Sequence, residues 1–131
     1  MAKGSAFVWD DSFSAAQDLS SHQYKVMKLS GKDQVDLVAS ATGRSFGILL
    51  NHPKSGEAAD VRILGKSPAQ VDGNAGAIVA GDYLGPDANS RLVKKSTPDN
   101  SVVAISNGGS TVLGDIIEVF LVPIGWFRTV A

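Results

Sequence analysis

Cysteine is absent from this 131-residue chain, which excludes a disulfide framework, a thiolate zinc site and a cysteine nucleophile. Histidine occurs twice, at His22 and His52, with no partner at metal-ligand spacing, and no Gly-x-Ser-x-Gly elbow accompanies them. No metal or cofactor is therefore expected, and no hydrolytic triad. Long apolar runs are missing too. The greasiest stretch, Val119 to Phe127, is interrupted by Pro123 and Gly125 and is far too short to cross a bilayer. The opening Met1-Ala2-Lys3-Gly4-Ser5-Ala6 has no apolar stretch of the kind that directs secretion. A soluble product of a cytoplasm, without a membrane partner, is the expectation. An excess of positive charge is also lacking. Twelve basic and 13 acidic residues leave a net charge of −1, so no broad field favours nucleic acid. Lys94-Lys95 and the pair Lys25/Lys28 have no interleaved aromatics and read as exposed, solubilising strand residues.

Glutamate is scarce in a telling way. Eleven Asp stand beside only two Glu, Glu57 and Glu118, and the chain holds 14 Gly, 15 Ser and 14 Val. Asp, Gly and Ser close turns and Val builds strands, whereas helical domains use Glu freely. The expected fold is all-β, a single small barrel or sandwich.

Three parts are expected along the chain. Residues 1–23 set Phe7, Val8, Trp9 and Phe13 among small polar residues without a sustained period, and read as an extended N-terminal arm. Residues 24–123 read as the β domain. Strands are expected at Tyr24–Leu29, Val35–Ala39, Phe46–Leu50, Asp60–Leu64, Ser67–Val71, Ile78–Leu84, Arg91–Lys94, Val102–Ser106 and Asp115–Pro123. The nearly continuous apolar run Phe46–Leu50 marks a strand buried on both faces. Residues 124–131 form a short apolar tail carrying Trp126 and Phe127.

A strand–loop–strand unit recurs. Gly47-Ile48 leads through Asn51 to Asp60-Val61, and Ala104-Ile105 leads through Asn107 to Asp115-Ile116-Ile117, which sets Val61 against Ile117. This is either an internal duplication or the ordinary likeness of β-hairpins.

Several motifs imitate chemistry. Gly65-Lys66-Ser67 matches the end of a phosphate-binding loop, but Asp60 stands where the first glycine belongs and strand residues intervene. Asp87-x-Asn89 resembles the start of a calcium loop, yet Arg91 occupies the third ligand position. Both read as turns. The polar grouping with most claim to a pocket is Ser45, Asn51, His52 and Arg62. No enzyme activity is expected from any of these.

Asp18-Leu19-Ser20 and Gln23-Tyr24 leading to Leu29 resemble the opening of a family of small tailed-phage proteins encoded among capsid genes. Phe46-Gly47-Ile48-Leu49-Leu50-Asn51, Pro53 and Gly56-Glu57-Ala58-Ala59-Asp60-Val61-Arg62 resemble its middle. Ile78, Ala80-Gly81-Asp82 and Gly114-Asp115-Ile116-Ile117-Glu118-Val119 resemble its end. The likeness runs from about residue 18 to 122. It implies a head decoration, or cement, protein: a β-rich domain on the outside of a capsid, commonly trimeric near threefold axes, with no activity and no cofactor. The implied partners are the major capsid protein and other copies of this chain, and the implied place is the virion surface.

Aromatic residues dominate interface hot spots. Phe7, Trp9 and Phe13 in the arm are the expected capsid contacts, with Trp126 and Phe127 a second pair for capsid or neighbouring subunit. Deletion of residues 1–17 is expected to leave the domain folded. Competing readings are another virion component (head–tail connector, tail tube or fibre base) and a small ligand-binding barrel.

Overall fold

The computed structural model describes residues 8–95 and 101–122. Among them the structure is all-β, with strands β1 (Trp9–Ala15), β2 (Val26–Gly31), β3 (Gln34–Leu37), β4 (Gly47–Leu49), β5 (Ala58–Asp72), β6 (Tyr83–Pro86), β7 (Leu92–Lys95), β8 (Ala104–Ser106) and β9 (Leu113–Leu121). The strands hydrogen-bond in the order β1-β3-β2-β4-β5-β7-β6-β8-β9, and two further pairings, β1–β5 and β5–β9, close this sheet on itself twice. The result is two five-stranded rings. The first is β1-β3-β2-β4-β5, the second is β5-β7-β6-β8-β9, and β5 belongs to both. A small all-β barrel is thus present twice over.

The two rings are built to one plan. Ala15 pairs with Val35 in a parallel contact, as Val71 does with Leu92. Met27 pairs with Gly47, as Leu84 does with Ala104. Leu49 pairs with Val61, as Ser106 does with Val119. Matching residues lie 56 to 58 positions apart throughout, and every residue of these pairs is buried. Backbone geometry repeats as well. Positive φ occurs at Tyr24 and Gly81, at Asp33 and Ser90, and at Gly56 and Gly114, each pair again 57 or 58 positions apart. Even loop hydrogen bonds recur: Tyr24 N–H to Leu49 O matches Gly81 N–H to Ser106 O. Of the two readings the sequence left open, the duplication is the one present as structure, with its register corrected. Val61 corresponds to Val119, not to Ile117, because ladder pairing rather than residue likeness sets equivalence.

Gly65 is the one described positive-φ residue without a mate, at φ 101°. It marks the point where β5 leaves the first ring and enters the second: Leu64 pairs with Trp9 of β1, and Gly65 with Leu121 of β9. Only glycine takes that backbone conformation cheaply. The sequence reading set two strands on either side of a turn at Gly65-Lys66-Ser67. The structure has one 15-residue strand bent there. Pro68 lies inside it without harm. Gln70, two residues on, directs its N–H to Tyr24 O, away from β9, so the amide that proline lacks also faces the edge without a ladder there.

Each ring has its own core. Ala15, Leu19, Met27, Val35, Phe46, Leu49, Ala59, Val61 and Ile63 fill the first. The second contains Ala69, Val71, Ile78, Leu84, Leu92, Ala104, Val119 and Leu121, and it also takes Val26, Val38 and Ile48 from the first half. Those three face outward from ring one. This explains why Gly47–Leu49 is buried throughout: β4 is a wall between two cores. Ser90 ties the rings together. It is fully buried, accepts from Val38 N–H at 2.9 Å through Oγ and from Val26 N–H at 2.9 Å through its carbonyl, and donates its hydroxyl to Val26 O.

Two expectations for the first half change. The stretch 1–23 is extended over residues 9–15, but as β1, paired with β5 along six residues and with β3 along two. It closes a ring, so the domain is not expected to fold without residues 1–17. Lys25, expected on an exposed strand surface, is 7% exposed.

Candidate interaction surface

β1 and β9 lie along the same edge of β5. Asp60 O accepts from Leu50 N–H and Gln70 N–H donates to Tyr24 O, so even-numbered residues of β5 address the opposite edge on both sides of Gly65. Both strands run antiparallel to β5, so the end of β9 meets the start of β1 at the adjacent residues Gly65 and Leu64. The two described ends of the chain, Val8 and Val122, therefore flank one point of the molecule. Residues 1–7 and 123–131 continue the chain from there.

Around that point the outer face of the sheet is apolar and aromatic. Trp9, across from Leu64, is 55% exposed, and Phe120, across from Lys66, is 42% exposed. Their partners are two positions apart on one face of β5. Ile116, on the same face of β9, is 48% exposed. Charged groups frame these side chains. Arg62 forks onto Asp10, Nε to Oδ1 at 2.7 Å and Nη2 to Oδ2 at 3.0 Å, and its Nη1–H reaches Lys66 O at 2.8 Å. The guanidinium holds the Asp10 carboxyl below its ordinary range, and the carboxylate raises Arg62 in return. Lys66 sits 6.0 Å from the Phe120 ring centroid and 3.2 Å from Glu118 Oε1.

Of the aromatic residues expected to make contacts, Trp9 is described and exposed. Phe13 is turned to the first core, edge-on to Phe46 with centroids 5.4 Å apart, and its ring is engaged inside the domain. Phe7, Trp126 and Phe127 lie outside the described residues. Sequence reasoning missed Phe120 and Ile116. Their signal was present as the apolar members of the alternation Ile116, Glu118, Phe120, but a large apolar residue in a strand is usually inward, and only the ladder shows which face is which.

The polar grouping Ser45, Asn51, His52 and Arg62 is not brought together. Asn51 closes its own loop, donating to Ala58 O and accepting from Asp60 N–H, each at 3.0 Å. Arg62 is engaged with Asp10, and a shallow hollow beside Asn51 and His52 is lined otherwise by Pro53, Glu57 and Ala58. Among the described residues no three His, Asp or Glu side chains are placed to share a metal ion.

No family model matches the chain, and no curated protein matches it. Among solved structures it is similar to the head fiber gp8.5 N base of bacteriophage phi29, with a TM-score of 0.65 and 13% identity over 88% of this chain and 95% of that one. At that identity the likeness is one of fold.

Proposed function

We propose that this protein is a structural component of a tailed-phage virion, a decoration protein that binds the major capsid protein on the outside of the head and stabilises it without catalysis. The observation that carries the reading is the meeting of β1 and β9 at Leu64 and Gly65, which gathers exposed Trp9 and Phe120 and the two ends of the described chain, Val8 and Val122, at one place. Phe7, Trp126 and Phe127 belong to the segments 1–7 and 123–131, outside the described residues. A rigid double ring with contact groups gathered at one point suits a clamp. As a trimer at threefold or quasi-threefold sites, it would multiply modest single contacts by effective concentration. The fold shared with a phage head fiber base supports the virion assignment.

The test is binding to undecorated heads. Trp9→Ala is expected to weaken coating by about 30-fold, the loss typical of an interfacial tryptophan, while its unfolding midpoint stays near wild type because the side chain is half exposed. Wild-type occupancy by the variant would reject this surface as the docking face. The likeness to gp8.5 favours a second reading, the base of a head fibre. A cryo-EM reconstruction of the particle separates the two: low knobs on the shell indicate decoration, and a projecting stalk above each site indicates a fibre.

A further inference from the structure

The seam between the rings holds a cationic cleft away from the surface described above. Its volume is about 330 Å³, and its walls come from the β1–β2 connection, from β2, from β3 and the segment after it, and from the β6–β7 turn. Lys25, Lys28 and Arg91 face it against one lining carboxylate, Asp36, with His22 and Asn89 beside them. Lys25 is the unusual member. It is more than nine-tenths buried, and its Nζ lies 2.9 Å from His22 Nδ1. An ammonium group only donates, so Nδ1 accepts and the neutral ring carries its proton on Nε2. None of the ion pairs among the described residues includes Lys25, Lys28 or Arg91. Asp36 stands across the ladder from Lys28, yet its Oδ1 accepts from Gln17 Nε2 at 2.6 Å and from Leu37 N–H at 2.7 Å.

Burial of a cation without a counter-ion is costly. Burial followed by the nearby Arg91 pushes the Lys25 ammonium below its ordinary range, with Asp87 opposing. Burial and then Lys25 lower His22, with Asp18 and Asp36 opposing and Arg91 adding. The second ring shows what a satisfied version looks like. Asp82 holds the place of Lys25, with the same turn hydrogen bond (Asp82 N–H to Val79 O, as Lys25 N–H to His22 O). Its carboxylate accepts from Val79 N–H at 2.9 Å and lies 3.7 Å from Lys94. The charge in ring two is balanced from within the chain.

We propose that the seam cleft is a binding site for an oxyanion, held by Lys25, Lys28 and Arg91. A carboxylate from an acidic side chain and a phosphate share the chemistry required. The test is an amide NMR titration of the whole protein with sodium phosphate and, separately, sodium acetate, each against sodium chloride at matched ionic strength. Saturable shifts confined to residues around 25–28, 36–39 and 88–91 are expected, together with an upward move of the His22 titration, since a bound anion favours the protonated ring. Saturation by acetate as well as phosphate assigns a carboxylate source, and saturation by phosphate alone assigns a phosphoryl source. Lys25→Met is expected to weaken binding about tenfold and Lys28→Gln about fivefold, with Lys32→Gln on the hairpin unchanged. Lys28 is half-buried at the rim, so its variant tests the site even where Lys25→Met disturbs folding. Shifts no larger than those from chloride, or equal binding by wild type and Lys28→Gln, would overturn the assignment.

Discussion

Ring one and ring two share a backbone and differ in what that backbone presents. Asp10 pairs across the ladder with Arg62 in the first ring, and Lys66 pairs with Phe120 at the matching place in the second. One is a forked ion pair and the other a cation over an aromatic face. Leu49 fills the first core where Ser106, bonded to Gly108 O, stands in the second. Gly47, where an added Cβ would meet Arg62 O at 2.5 Å, is matched by Ala104. Tyr24 keeps a positive φ of 69° at a place where the second ring uses Gly81. What persists is the ladder, the inward apolar positions and the turn geometry, because these close a ring. Outward positions carry no such constraint. They diverged into an ion pair and an unbalanced cleft on one side, and into an exposed aromatic on the other.

Emptying matched core positions gives the largest expected effect on this comparison. Met27 and Leu84 hold the same place and are both fully buried. Met27→Ala and Leu84→Ala are each expected to cost about 3 kcal/mol in urea unfolding, a typical loss for large-to-Ala core substitutions. Amide exchange sharpens the test. Met27→Ala should loosen β1–β4 first, and Leu84→Ala should loosen β6–β9. Uniform loss in both variants would mean that β5 couples the rings into one cooperative unit.

Gly65→Ala comes next. It places a Cβ at φ 101° in the strand both rings share, and a cost of about 2 kcal/mol is expected from backbone strain. A neutral result would show that the bend at the junction relaxes freely.

The smallest effect concerns the surface pairs. Asp10→Asn removes the fork to Arg62 and is expected to cost less than about 1 kcal/mol near neutral pH, as exposed ion pairs do. Because Arg62 lowers the folded pKa of Asp10 from 3.8, this contribution is present above that value and is lost as pH falls through the lowered one. The difference between wild type and variant should shrink from neutral pH to strongly acidic pH. Phe120→Leu, at the place matching Arg62, should give a difference that does not change between the two pH values. An acid-insensitive Asp10→Asn would show that the ion pair contributes nothing to folding.

Much of the strand content was legible from residue types. β2, β3, β4, β7, β8 and β9 fall within or near the expected runs, because alternating Val, Ile and Leu between Asp and Gly turns is a local signal. β1 was not legible as ring structure. Trp9 to Ala15 reads Trp-Asp-Asp-Ser-Phe-Ser-Ala, which has little apolar alternation, and it is a strand because β5 offers it an open edge. The candidate surface was half visible. Trp9 could be named from its type, whereas Phe120 needed the register. Lys25 was misread because a lysine next to a turn is usually solvated, whereas here it is buried in the wall of a cleft shared with Ala88, Asn89 and Arg91 of the β6–β7 turn.

The amino-acid sequence by itself determined an all-β chain without thiol chemistry, its turns, and the pairs of small or turn residues at which the backbone reverses. These are properties of single residues and their near neighbours. Tertiary structure alone decided that the strands close into two rings sharing β5, that β9 ends where β1 begins, and that a lysine is buried at the seam. Each depends on hydrogen bonds between residues tens of positions apart, and on whether Gly65 bends a continuing strand or ends one. Local preference is the same in both cases, and only the packing of two cores around one strand distinguishes them.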